Sequence, residues 1–534
     1  MTEEPRWVLA LWLAAPFLLG AARLALPLRA RSLARSVQSI GLVVALGFVL
    51  LALQLLRQQF VYANDIANRI YIDEQTGQPT SNVRLVFEAL RTKRGQIVAR
   101  GGEVLADTRL TQDGFAVRTY PIGDQYPIEA FSNIVGFFSH RYGEAGLDLS
   151  YNEYLNGERD AFQRIQESLF GRQHVGDNLQ LTLDARLQAA AYEALGGRTG
   201  SVVALDPTTG AVLAMVSTPG FDPRILAFDP SADRDAENAR IEAYWRELNS
   251  EGSGQPLLNR PTQSRYPPGS TYKTVTAVAA LEHPKEARPD EIDCPNERFT
   301  AEGAPPVVNA VNNLAERTGN PTNLERVYAY SCNTAFAEYA MRLGPELMAD
   351  VAQSFGILTP AGAPQLTDMF TDLQTVTSLL YVDAGFLNQR PALADTGYGQ
   401  GQVLTTPLEM ALVAATVAND GVMMHPYLVE RITRAGGEVV TARQPRSIRR
   451  VMSAEIAQRM RRNMRAVVEY GFGQAAGAVD GVQVGGKSGT AEYPCPTPDA
   501  PGRICTHAWY IAVAPLDKPQ IAVAVMVEGG GEGS

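Results

Sequence analysis

The sequence predicts an α+β protein in three parts. A membrane region occupies residues 1–56, a small α+β domain residues 60–175, and a larger domain with an antiparallel sheet between helical layers residues 176–534. Three observations carry this reading. Residues 39–56 hold no charge and are long enough to cross a bilayer core as a helix. From Phe60 to about His174 short polar strands and turns alternate without a long helical period. Beyond that, uninterrupted apolar strands recur at 201–205, 211–216, 509–513 and 521–527, with helical patterns between them. Strands apolar on both faces are covered on both faces.

The first part contains a second apolar stretch, at 7–28, weakened as a span by Pro16, Arg23 and Pro27, which either crosses the bilayer or lies at its interface. Arg23, Arg29, Arg31 and Arg35 cluster between the two stretches and hold that loop in the cytoplasm, which places everything after residue 56 outside. Neither stretch ends in a small-residue cleavage site, so the reading is an uncleaved anchor.

In the second part, the run from Arg94 to Ala106 reads as two short strands around the Gly101-Gly102 turn, and residues 151–166 read as an amphipathic helix. The third part opens on a strand at 179–183. Asp184 is placed to cap a helix over 185–195. The apolar strands 201–205 and 211–216 flank Asp206-Pro207-Thr208-Thr209-Gly210, a hairpin turn.

Composition narrows function. Hydrophobic residues at 45% and charged residues at 19% exclude wholesale disorder, and a net charge of -10 without a basic stripe gives no reason to expect nucleic acid. The four cysteines lack metal spacing, so no metal and no cofactor is expected. Cys495 and Cys505 flank a Pro-rich stretch and are either a loop-closing disulfide or two free thiols. Lysine is scarce: of 47 Lys plus Arg only Lys93, Lys273, Lys285, Lys487 and Lys518 are lysine. Lysine can lose its proton where arginine cannot, so each lysine marks a place where that difference could matter.

Two of the five fall in motifs. Tyr266-Pro267-Pro268-Gly269 cannot be helix interior, whereas 270–281 reads as an apolar helix with Ser270 at its start and Lys273 one turn on. A serine hydroxyl needs a base, and a lysine at a helix N-terminus has its charged form disfavoured. The alternative is a capping serine and a solvated lysine. Ser331-Cys332-Asn333 follows, offering a hydroxyl for proton relay and an amide for a peptide bond, or else an ordinary cap. Gly485-Gly486-Lys487-Ser488-Gly489-Thr490 reads as an edge strand that a substrate backbone can approach, with a cation and hydroxyls for a carboxylate. A phosphate loop is excluded because 491–494 cannot begin a helix.

Ser-x-x-Lys, Ser-x-Asn and Lys-Ser-Gly in this order resemble the penicillin-recognising serine transferases and hydrolases. Further pieces resemble their class B penicillin-binding members. These are the 94–106 run, with Ala99 and Gly101 where the family has Asp and Asn; Gly146-Leu147-Asp148 with Tyr151 and Leu155; and the 203–215 hairpin. Asn259-Arg260, Gly399-Gln400-Gly401 with Thr406-Pro407, and His507-Ala508-Trp509 complete the set.

The resemblance implies a β-lactamase/transpeptidase-like domain on a pedestal, and a D,D-transpeptidase acting on peptidoglycan stem peptides. It implies Ser270 as nucleophile, Lys273 as base, Ser331 and Lys487 as proton relay, and Asn333 aligning the donor. Ser488, Gly489 and Thr490 would form the carboxylate site, with the N–H groups of Ser270 and Thr490 as oxyanion hole. It also implies acylation by β-lactams, an inner-membrane setting with the catalytic domain outside, and a separate multi-span glycan polymerase as partner, the pedestal being too short to hold one. A D,D-carboxypeptidase, a non-catalytic β-lactam receptor and a scaffold remain as alternatives; a β-lactamase would need a water-activating base that no residue supplies. The family's last strand precedes a helix that packs on the sheet, whereas this sequence stops at Ser534, so a fragment with an incompletely covered sheet face is expected.

Overall fold

The strongly apolar runs and the capped helix starts decide where elements form. The computed structural model describes residues 32–58, 62, 71–72, 79–80, 90–157, 174–360, 370–477, 479–495, 504–531 and 533. The chain divides into two units, residues 1–90 and 91–534.

In the first unit Ser32–Leu56 forms a 25-residue helix, α1. Its uncharged part begins at Ser36, and Ile40, Phe48 and Leu51 are exposed along it. Only part of its side chains are described. Among the described residues no helix is long and apolar enough to cross a membrane. The stretch at 7–28 lies outside the described residues.

The second unit contains, in chain order, β1 Ile97–Val98, β2 Val104–Leu110, β3 Ala116–Thr119, α2 Glu129–Val135, β4 Asn178–Leu181, α3 Ala185–Leu195, β5 Gly200–Leu205 and β6 Val212–Thr218. Then come α4 Lys273–Glu282, α5 Asn333–Ser354, α6 Pro407–Ala418, β7 Val429–Thr433, β8 Val439–Ala442, α7 Ala454–Glu469, β9 Gly485–Pro494, β10 Ile504–Ala514 and β11 Ile521–Val527.

Five strands make the central antiparallel sheet, ordered β6-β5-β11-β10-β9. One face carries Val203, Leu205, Ala524 and Met526 into the main core, where α6 packs. Val203, Leu205 and Met526 each contribute about 1.5–3 kcal/mol by this burial. The other face gathers Val202, Val216, Val523 and Val525 under Leu195, Ala191 and Tyr192 of α3; Val523 and Val525 are only partly buried. The expected cap at α3 is present: the Asp184 carboxylate accepts from the N–H groups of Arg186 and Leu187. At the far edge the β9–β10 hairpin is closed by a disulfide between Cys495 and Cys505.

The second sheet has the order β8-β7-β4-β1-β2-β3. Its β1 and β4 run parallel, Ile97 opposite Leu179, and join strands from either side of residue 176. Ile97, Leu179 and Leu181 are fully buried in one core, so the expected small and large domains share a sheet. Asp148 holds the small part together, accepting from Arg94 Nε at 3.2 Å and Arg118 Nε at 3.3 Å. The two stretches that resembled successive family signatures thus meet at one buried carboxylate. The 94–106 hairpin forms with Ala99 and Gly101 in place: Ala99 N–H donates to Glu103 O, and Gly102 takes a φ of 96° at the turn. Of the helix read over 151–166, Asn152–Leu155 is helical and residues 158–166 lie outside the described residues.

Candidate active site

Two prolines without N–H groups force the chain into a turn before α4. Gly269 there has φ 54°, and a Cβ on it would lie 2.3 Å from Thr490 O, so only glycine lets the turn touch β9. Gly269–Tyr272 is a 3₁₀ turn that runs directly into α4, whose first residue is Lys273. The turn is held from two sides: Gly269 N–H donates to Gly399 O, and Trp509 Nε1 donates to Pro267 O.

Ser270 caps neither the turn nor α4, and Lys273 does not reach water. Lys273 Nζ instead sits 3.0 Å from Ser270 Oγ, 3.0 Å from Ser331 Oγ, 2.7 Å from Ser331 O and 2.6 Å from Asn333 Oδ1. Lys487 Nζ donates to the same Ser331 Oγ at 3.0 Å and to Ser488 O at 2.9 Å. The structure therefore joins Ser270, Lys273, Ser331, Asn333 and Lys487 in one network, drawn from the 270 turn, the start of α5 and β9.

Both lysines are fully buried, and among the described residues neither has a carboxylate partner. Burial pushes the Lys487 amine down to about 7. Burial first, and the neighbouring Lys487 second, hold Lys273 well below the usual lysine range. A neutral amine has two N–H groups and one lone pair. Ser331 O and Asn333 Oδ1 can only accept and make the two shortest contacts, so they take the two N–H groups. The lone pair is left for a hydroxyl. The Asn333 amide orientation is fixed because its Nδ2 donates to Val308 O at 2.9 Å.

Ser331 adopts a left-handed backbone, φ 53°, which a residue with a Cβ rarely does. That twist turns both its carbonyl and its hydroxyl toward Lys273.

Lys487 lies on β9, at the edge of the central sheet as its flanking glycines suggested, and the strand continues through 491–494 without a helix. Ser488, Gly489 and Thr490 follow on the same strand. A Cβ on Gly489 would lie 2.9 Å from Thr271 Cγ2 and 3.0 Å from Pro268 O, so this glycine lets β9 lie against the turn that carries Ser270. Thr490 Oγ1 accepts from Gly533 N–H at 3.3 Å and is not part of the lysine network.

Sequence reasoning missed one feature at this site. Cys332, the middle residue of the Ser331 motif, is joined to Cys294 by a disulfide across 38 residues. Both sulfurs are buried. Only the even count of cysteines hinted at a second pair. Among the described residues no group of His, Cys, Asp and Glu could hold a metal ion.

Comparison with known proteins agrees with this geometry. Residues 200–534 match the penicillin binding protein transpeptidase domain, and 94–179 the penicillin binding protein A dimerisation domain. The peptidoglycan D,D-transpeptidase PbpA of Mycolicibacterium smegmatis is 35% identical over 485 residues, covering 88% of this chain and 91% of that protein. MrdA of Haemophilus influenzae, also a peptidoglycan D,D-transpeptidase, is 29% identical, covering 76% of this chain and 62% of its own. The structure of penicillin-binding protein A from M. tuberculosis as an imipenem acyl-enzyme complex superposes with a TM-score of 0.71 at 32% identity, covering 83% of this chain and 94% of that one. With a matching transpeptidase model over most of its length and relatives of this identity and coverage, the chain belongs to the class B penicillin-binding proteins.

Proposed function

We propose that this chain is a peptidoglycan D,D-transpeptidase that cross-links stem peptides through an acyl-enzyme on Ser270, the same serine that β-lactams acylate. One observation supports this above the others: a fully buried Lys273, its charged form disfavoured, with two N–H groups committed and its lone pair left for a hydroxyl. Lys273 takes the Ser270 proton as Oγ attacks the carbonyl of the penultimate D-Ala. The carbonyl oxygen is met by the N–H groups of Ser270 and Thr490. Ser331, bonded to both lysines, passes a proton to the departing D-Ala amine, and the proton that Lys273 took from Ser270 replaces it, Lys487 sharing the relay through the same hydroxyl. An amine from a second stem peptide then attacks the ester, its proton leaves by the same relay, and Ser270 is restored.

Asn333 faces the donor peptide with its amide, while Ser488 and Thr490 hold the terminal carboxylate across the gap left by Gly489. Residues 60–175 serve as pedestal and 176–534 as catalytic domain. The uncharged part of α1 from Ser36 onward, with Ile40, Phe48 and Leu51 exposed, is the membrane anchor, because such apolar side chains are costly in water. It places the catalytic domain outside the cell membrane, beside a separate multi-span polymerase that supplies glycan strands.

A stem pentapeptide donor with an amine acceptor tests this reading. Wild type should release D-Ala and form the cross-linked dimer, and Ser270→Ala should do neither. Release of D-Ala with only the shortened, uncoupled peptide would make the chain a carboxypeptidase instead.

A further inference from the structure

We infer that the segment 294–309 is a positioning element for acylation, fixing Ser331 and Asn333 through the Cys294–Cys332 disulfide and through Asn309. The inference rests on the roles proposed above for Ser270, Lys273 and Ser331.

The start of α5 is poorly supported by its own residues. Its N-cap is Cys332, whose side chain makes no capping hydrogen bond to the helix. Helices ordinarily begin on Ser, Thr, Asp or Asn, whose oxygen accepts from the first turn. The residue before it, Ser331, holds a left-handed backbone that costs a residue with a Cβ stability. Left alone, this junction would relax, and Ser331 and Asn333 would move off the lysines.

What is missing locally comes from one distant segment, in three contacts. Cys294 bonds covalently to Cys332. Asn309 Oδ1 accepts from Thr334 N–H at 3.1 Å, which is the cap that Cys332 does not provide. Val308 O accepts from Asn333 Nδ2 at 2.9 Å, which leaves Asn333 Oδ1 turned toward Lys273. The segment is itself braced on α5, since Asn309 Nδ2 and Thr334 Oγ1 both donate to Pro295 O at 2.8 Å. Its centre is a short hairpin, Glu297–Arg298 against Val307–Val308, whose far strand carries the Val308 carbonyl. The disulfide and the borrowed cap therefore act at the two ends of the same hairpin, and they end on Cys332 and Thr334, one and three residues after Ser331.

The inference separates position from fold. Cys294 and Asn309 touch no reacting atom, so removing them should slow acylation per folded molecule and leave the fraction that can be acylated unchanged. Full-length protein in detergent is titrated with a fluorescent penicillin, which gives both the labelled fraction at saturation and the second-order rate constant. The double substitution C294A/C332A should lower the rate constant at least tenfold with full labelling at saturation. N309A, which keeps the disulfide, should lower it three- to fivefold. Adding S331A to C294A/C332A should cost much less than S331A costs in wild type, because Ser331 is already displaced.

Rate constants within twofold of wild type for a fully labelled C294A/C332A overturn the inference. If that variant does not fold, N309A decides, and unchanged kinetics there overturn it equally. Failure of the underlying reading looks different: wild type itself would then carry no label on Ser270.

Discussion

Two buried cation clusters in this molecule have opposite chemistry. In the stretch that matches the dimerisation domain, Arg94 and Arg118 are almost fully buried around Asp148, which is itself fully buried and bonds to both. In the transpeptidase domain, Lys273 and Lys487 are equally buried and meet hydroxyls, carbonyls and the rings of Phe336 and Tyr328, with no carboxylate partner among the described residues. A buried cation beside a carboxylate stays charged and becomes a structural tie. A buried cation without one gives up its proton, provided its chemistry allows it. Arginine does not allow it and lysine does. A chain that otherwise prefers arginine, with five lysines among 47 basic residues, places two of them at fully buried positions where the charged amine is disfavoured.

The comparison can be broken most sharply at Lys273. Lys273→Arg puts a permanent cation at the site and removes the base, and should slow acylation by a labelled penicillin by about 10²–10⁴-fold, the range expected for loss of a positioned general base. A loss under tenfold would show that proton transfer does not pass through this residue.

Asp148→Asn should do the reverse, costing about 3–5 kcal/mol of stability by leaving the buried Arg118 without its carboxylate and Arg94 with Glu144 alone. Denaturant titration should reveal the loss, while the acylation rate per folded molecule stays that of wild type. If the rate falls and stability holds, the pedestal carboxylate belongs to the chemistry and the contrast fails.

Lys487→Met, near-isosteric and uncharged, should raise stability at neutral pH by about 1 kcal/mol and lower acylation strongly, as expected where a polar group is kept for function. The sign follows from titration. Lys487 is depressed to about 7 in the fold and is ordinary, at 10.5, in the unfolded chain. Between those values the unfolded chain binds the extra proton, so stability rises with pH across that window, by at most about 1.4 kcal/mol per pH unit. Lys273 shifts in the same direction. The methionine variant should show a shallower rise, and an unchanged slope would mean that Lys487 is charged in the native state. Acylation by wild type should likewise fall as pH drops through about 7, as the lysine pair gains a proton.

The parts of this site legible in the sequence are those whose partners lie close along the chain or carry a rare residue. Ser270 and Lys273 are three apart, so helical geometry alone brings them together. Lys487 is marked by the scarcity of lysine and by the glycines that let β9 lie against the turn that carries Ser270. The strands of the central sheet were legible because their residues are apolar on both faces. What was not legible is what distance hides. The Cys294–Cys332 disulfide spans 38 residues with no spacing rule to announce it. The parallel pairing of Ile97 with Leu179 joins two stretches that read as separate domains. The left-handed turn at Ser331 has no glycine or asparagine to signal it, because contacts from other segments, rather than its own residue type, maintain it. The pairing of Cys495 with Cys505, left open by the sequence, is the one the structure adopts.

The most direct measurement is to treat membranes holding this protein with a labelled penicillin, digest it, and locate the adduct by mass spectrometry. The account predicts one adduct, on Ser270, absent from Ser270→Ala and nearly absent from Lys273→Arg. An adduct on another residue, or none on wild type, would contradict it.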